Sequence, residues 1–215
     1  MKLLSINVAQ PEVVRIDGRP VATGIFKKPV PGPVRVEKLN LAGDRQADLS
    51  AHGGPDKAAY IYTIESIQYW QQLLQRNDLG PGSFGENLTV AGLPENEVAI
   101  GDELRIASAR FQVTQPRIPC FKLAHALGLP DFPRTFLESG RTGFYLRVLE
   151  EGVITAGDPI VYLPARTVAR VTVGELTRVF QTREATEEQL RRIRSLQALP
   201  ARWHEWVERK LGGPS

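Results

Sequence analysis

The chain has 215 residues, 42% hydrophobic and 24% charged, a formal net charge of +3 and one cysteine. The balance is ordinary for a globular protein, and no run of about eighteen apolar residues predicts a membrane span. A lone cysteine excludes an internal disulfide and suits a reducing cytosol. The charge is uneven: residues 165–215 carry 10 Lys/Arg against 6 Asp/Glu, while the other 164 carry 17 against 18. Without a long basic run or an interleaved aromatic platform, this end reads as a solvated helix face and not as a nucleic-acid surface.

The start, Met1-Lys2-Leu3-Leu4-Ser5-Ile6-Asn7-Val8, alternates as a strand does. It lacks the apolar core and cleavage site of a signal peptide, so a cytoplasmic protein is expected. Short strands are predicted at 2–8, 22–26, 34–39, 58–63, 86–90, 103–107, 111–115, 143–149 and 160–163. Clusters such as Pro31-Gly32-Pro33 and Gly80-Pro81-Gly82 punctuate them. Strands at this spacing favour a barrel or sandwich over a parallel sheet. Three helices interrupt them, at 65–74, 121–127 and 132–138, the first with Ile67, Trp70, Leu73 and Leu74 on one stripe.

After Pro164 the pattern turns helical. Thr172-Val173-Gly174-Glu175 reads as a capping box before a helix at 173–180. A second helix opens at Thr186-Glu187-Glu188-Gln189 and runs to about Leu199, with Leu190, Ile193 and Leu196 along one face. A third starts at Pro200, carries Trp203, Trp206 and Val207, and ends at Leu211-Gly212-Gly213. Three helices in about fifty residues are too few to be stable alone, so they are expected to dock on the strands. The expected organisation is a mainly β domain, 1–163, followed by a three-helix bundle, 164–215.

The single cysteine lies in Gln115-Pro116-Arg117-Ile118-Pro119-Cys120-Phe121-Lys122-Leu123. The prolines predict a stiff extended loop entering a helix. Arg117 and Lys122 could favour the thiolate that binds metal or attacks, although a lone cysteine also serves as a small buried hydrophobe. Gly43-Asp44-Arg45-Gln46-Ala47-Asp48 and His52-Gly53-Gly54-Pro55-Asp56-Lys57-Ala58 combine glycines with cations. They fit an anion cradle or simple turns. Gly82-Ser83-Phe84-Gly85-Glu86-Asn87-Leu88 and Gly140-Arg141-Thr142-Gly143 have the same double reading. No Walker loop, dinucleotide fingerprint or hydrolase elbow is present. His52, His125 and His204 show no metal-ligand spacing. His125 lies about 140° round the helix from Cys120, a poor place for a base. One soft thiolate with cations and glycine loops suits a phosphorylated cofactor carrying a metal that accepts sulfur.

These residues resemble the MOSC family, proteins related to the C-terminal domain of molybdenum-cofactor sulfurase, and within it the bacterial YiiM-type branch. The resemblance is carried by Thr23-Gly24-Ile25-Phe26-Lys27-Lys28-Pro29-Val30, by the stretches around Arg45, His52, Glu86, Gly101-Asp102 and Cys120, and by Gly140-Arg141-Thr142-Gly143-Phe144-Tyr145. It implies a β-barrel whose groove holds the molybdenum cofactor, followed by the three-helix domain of this branch. It also implies that Cys120 is a thiolate ligand to molybdenum, with Lys27, Arg45, His52, Lys57, Asn87, Arg117 and Arg141 around the pterin and phosphate. The implied activity is reductive detoxification of N-hydroxylated bases such as 6-hydroxylaminopurine, with His52 or Lys57, and next Lys27, as proton donor. One cysteine cannot hold an iron–sulfur cluster, so an external flavoprotein must supply electrons. The alternative implied role is a carrier or sulfur-transfer protein with a Cys120 persulfide. The terminal helices are expected to roof the groove or meet a second subunit in a homodimer.

Overall fold

The structure, a computed structural model, describes residues 1–47, 53–93, 95–167 and 169–212. Its strands in chain order are β1 (Lys2–Val8), β2 (Glu12–Ile16), β3 (Arg19–Thr23), β4 (Lys28–Pro29), β5 (Pro33–Val36) and β6 (Ala59–Thr63). They continue as β7 (Leu88–Ala91), β8 (Glu103–Ile106), β9 (Ala109–Pro116), β10 (Phe144–Glu150), β11 (Gly152–Thr155) and β12 (Ile160–Leu163). Eight form one sheet, in the order β12-β8-β9-β10-β6-β7-β1-β4. All its pairings are antiparallel except β6 with β7. A parallel pair needs a crossover, and the helix α1 (Ile64–Leu74) lies between those two strands in sequence.

The sheet bends far enough to bring β1 back to the turn before β12. Lys2 bridges Pro159, and Leu3 N donates to Asp158 O at 2.9 Å while Gly157 N donates to Leu3 O at 2.7 Å. That contact is a bridge and not a ladder, so among the described residues no continuous strand pairing closes the expected barrel. The sequence pattern also missed β2, β4 and β11, and it set the strand that is β3 late, at 22–26. The β2–β3 hairpin turns on Asp17 and Gly18, with φ of 49° and 76°, the positive pair that a tight hairpin requires. The two-residue β4 pairs with β1, and β11 pairs with β5.

The remaining helices are α2 (Phe121–Leu127), α3 (Phe132–Glu138), α4 (Val173–Thr182), α5 (Glu187–Arg194) and α6 (Ala201–Leu211). The complete capping box is at Thr186 and Gln189. At Thr172 only the Thr side chain caps, accepting from Glu175 N at 3.0 Å, because the Glu175 carboxylate is taken by Arg192. α5 stops at Arg194 instead of continuing to Leu199, and Pro200 is the cap before α6 and not its first residue. Leu176, Ile193 and Val207 join Leu3, Val113 and Leu146 in one buried core. The terminal helices are thus packed on the sheet through apolar area, the main favourable term in folding. A second, aromatic cluster gathers Tyr60, Tyr62, Trp70, Phe84, Phe132 and Phe136 between α1, α3 and the sheet. No helix of the described residues is long and apolar enough to cross a membrane.

Candidate functional site

At one end of β6, β9 and β10 the loops leave a pocket open to solvent. Its walls come from four segments far apart in sequence. The loop after β3 brings Lys27, the turn at 44–47 brings Arg45, the short 3-10 turn Pro55–Lys57 brings Lys57, and the loop leaving β9 brings Arg117 and Cys120, with Lys122 in the first turn of α2. Asn87 and the phenols of Tyr60 and Tyr145 complete it.

Lys27 and Asn87 are already committed within the chain. Lys27 forms a buried ion pair with Asp44, whose other oxygen accepts from Asn87 Nδ2 at 2.9 Å. Ala9 N also donates to Asp44 at 2.8 Å, and Asn87 Oδ1 accepts from Tyr60 N at 3.0 Å. Burial pushes the Lys27 pKa down, against the pull of Asp44 and Glu86. This lattice fixes one wall. The glycine loop beside it is structural. Gly82 has φ 89°, and a Cβ there would stand 2.4 Å from Lys27 O. The buried Glu86 carboxylate accepts from Gly82 N at 2.6 Å, Phe84 N at 3.1 Å and Thr89 Oγ1 at 2.8 Å.

Arg117 is different. Its side chain is buried, with the guanidinium carbon 5.0 Å from the Tyr60 ring centre and 5.4 Å from that of Phe136. Its Nη1 is buried with no hydrogen-bond partner among the described residues. Burial works against the cation, but the surrounding Tyr60, Tyr145 and Cys120 more than offset that, and its pKa lies above the ordinary guanidinium value. The same burial lifts the phenols of Tyr60 and Tyr145, so both keep their protons at neutral pH. A buried donor left unpaired costs free energy, so this N–H is a ready contact for an anion.

Cys120 is half-buried, faces the pocket and caps α2 in extended backbone without a side-chain cap bond. Lys122 donates to Ala22 O at 3.0 Å, and Lys57 Nζ stands 5.5 Å from the Tyr145 ring centre. Among the described residues no group of three His, Cys, Asp or Glu could hold a metal by itself. A metal here would rely on one protein sulfur and on ligands brought with it.

Of the residues expected at the site, Lys27, Arg45, Lys57, Asn87, Arg117 and Cys120 line this pocket. Arg141 does not. Its guanidinium lies 4.7 Å from the Tyr69 ring centre, on the α1 side of the aromatic cluster. His52 lies outside the described residues. The sequence reading missed Tyr60 and Tyr145, whose alternation on β6 and β10 looks like ordinary strand packing, and Asp44, which fixes Lys27.

Residues 48–161 match the model of the MOSC domain. The chain is 46% identical over 155 residues to the uncharacterized protein YflK of Bacillus subtilis, covering 72% of this chain and 70% of that protein. It is 30% identical over 175 residues to a protein of Gibberella moniliformis named Reductase, covering 79% of this chain and 30% of that longer protein. The crystal structure of YiiM from Geobacillus stearothermophilus superposes with a TM-score of 0.81 at 37% identity, covering 98% of each chain.

Proposed function

Since the chain belongs to the MOSC domain family, we propose that its pocket binds a molybdenum cofactor and that the protein is a reductase of N-hydroxylated compounds. The observation that carries this reading is the buried Arg117 cation with an unpartnered Nη1 beside the free thiol of Cys120. A cofactor that bears a phosphate and a sulfur-accepting metal answers both groups. The similarity to a fungal protein named Reductase supports the redox class. Base analogues of the 6-hydroxylaminopurine type are the proposed substrates, and a separate flavoprotein the electron source.

Bound there, the cofactor would supply the two-electron chemistry that cleaves the N–O bond. The chain does the rest. Cys120 offers the metal its sulfur, as a thiolate. Arg117, Arg45, Lys57 and Lys122 offset the phosphate charge, and the Asp44–Asn87 lattice holds Lys27 at the opposite wall. Reduction of R–NHOH to R–NH2 consumes two electrons and two protons and releases water, so a proton must reach the leaving oxygen. Lys57, facing the pocket over Tyr145, is the donor we assign among the described residues.

Protein made in cells that synthesise the cofactor should contain molybdenum and release phosphate on denaturation. Cys120→Ser should lose the metal while keeping its thermal midpoint. Molybdenum content and activity both unchanged in that variant would end the ligand role. Turnover of an N-hydroxylated purine with a chemical reductant distinguishes a reductase from a persulfide carrier, which would show none.

A further inference from the structure

The short turn that delivers Lys57 is gripped from beneath by one face of β10. Tyr145 and Arg147 are two apart on that strand and therefore project to the same side. Tyr145 lies under Lys57, and Arg147 takes the preceding residue: its Nε and Nη2 donate to Asp56 Oδ1 at 2.8 and 2.5 Å. The Asp56 carbonyl is held as well, accepting from Thr114 Oγ1 at 2.7 Å and from Gln115 Nε2 at 3.5 Å. Gln46 closes the other side, donating to Lys57 O at 2.8 Å and accepting from Gly54 N at 3.1 Å.

The same groups reach the C-terminal helices. Arg147 Nη2 also donates to Ala198 O at 3.4 Å, in the segment between α5 and α6. Trp203 Nε1, on α6, donates to Gln115 Oε1 at 3.0 Å. That contact is buried, and Gln115 lies two residues before Arg117. The terminal helices therefore back the two cation-bearing segments of the pocket without lining it themselves.

We propose that Arg147 is a positioning residue for the pocket lysine Lys57, acting through Asp56, and that the C-terminal segment bears on the pocket through this clamp. The proposal rests on the reading of the pocket as a site for a phosphate-bearing ligand. A two-pronged, charge-assisted contact fixes orientation as well as distance, and here it fixes the backbone of the turn from which Lys57 projects.

The test uses the full chain free of cofactor, titrated with inorganic phosphate by calorimetry, with thermal midpoints as the fold control. Lys57→Met should weaken phosphate binding by about tenfold and Arg147→Met by about fivefold. The double variant should bind no more weakly than Lys57→Met alone, because Arg147 acts only through that lysine. Arg147→Lys should recover part of the loss. Asp56→Asn, nearly isosteric, should repeat the Arg147→Met result and serves if that variant does not fold. Arg147→Met and Asp56→Asn binding phosphate as tightly as wild type, or losses that add to that of Lys57→Met, would overturn the proposal while leaving the pocket reading intact. No phosphate binding by the wild-type chain would remove the pocket reading and this proposal with it.

Discussion

The loop leaving β9 and the loop entering β10 each offer an arginine beside conformationally special residues, and they touch: Arg117 N donates to Gly143 O at 3.2 Å. Their arginines nevertheless go opposite ways. Arg117 turns into the pocket between Tyr60 and Phe136 and keeps an unpaired N–H. Arg141 turns out over Tyr69, near the Glu95 carboxylate. The aromatic cluster separates the two. Two guanidinium groups on touching loops thus meet different surroundings: one is buried in the pocket wall with an N–H left unpaired, the other stacks on a tyrosine of α1.

The sharpest way to test the structural half is at its glycines. Gly143 has φ 63°, and a Cβ would stand 2.5 Å from Ile61 O and 2.8 Å from atoms of both the Tyr60 and Tyr62 rings. Gly140 has φ 70° but open space around it. Gly143→Ala adds overpacking to backbone strain and should cost about 3 kcal/mol or more, whereas Gly140→Ala carries the strain alone, about 1 kcal/mol. Urea unfolding of the two variants checks this, and equal losses would mean that β6 yields to the new methyl.

The arginines come next in size. Arg117→Met should weaken binding of inorganic phosphate at least tenfold, since a charge-assisted hydrogen bond contributes about 1.5–3 kcal/mol. Arg141→Met should change it less than about twofold, with its effect confined to stability, because a partly exposed stacked cation contributes about 0.5–1 kcal/mol. Molybdenum content of protein from cofactor-producing cells should follow the same order. A loss at Arg141 equal to that at Arg117 would return Arg141 to the site.

That contrast also marks what the sequence could and could not tell. The thiol, the prolines and the helix that follows were legible, and α2 and α3 fall on their predicted bounds. Strand alternation gave most of the sheet. Glycine–arginine motifs were ambiguous because the pattern shows that the backbone turns, not which way the side chain leaves. The phenols of Tyr60 and Tyr145 were invisible as site groups, since a strand tyrosine packs in the same way with or without a ligand above it. The strand expected at 22–26 runs at 19–23 as β3, because a proline within a run, here Pro20, argues against a strand. Asp44, Asp56 and Arg147 act through partners 17 to 91 residues away, and no local pattern carries such pairings.

The smallest effect bears on why Arg141 stays outside. The half-buried Glu95 carboxylate accepts from Gly143 N at 2.7 Å, Ser66 Oγ at 2.9 Å and Thr63 Oγ1 at 3.1 Å, tying α1 to the loop before β10. Burial lifts its pKa above the ordinary carboxylate value, against those hydrogen bonds and the nearby Arg141. A carboxyl with a raised folded pKa binds its proton more tightly in the folded chain. Its contribution to stability is therefore greatest below the unfolded pKa and declines as pH rises through the folded one. Glu95→Gln removes that titration and puts two amide hydrogens where the protonated carboxyl bears one, beside hydroxyls that accept only by turning, so the variant should be less stable by about 1 kcal/mol at the acid end. The wild-type advantage in thermal midpoint should then narrow as pH rises. An advantage that grew with pH would mean that the carboxylate is held as an anion, with Arg141 as its true partner.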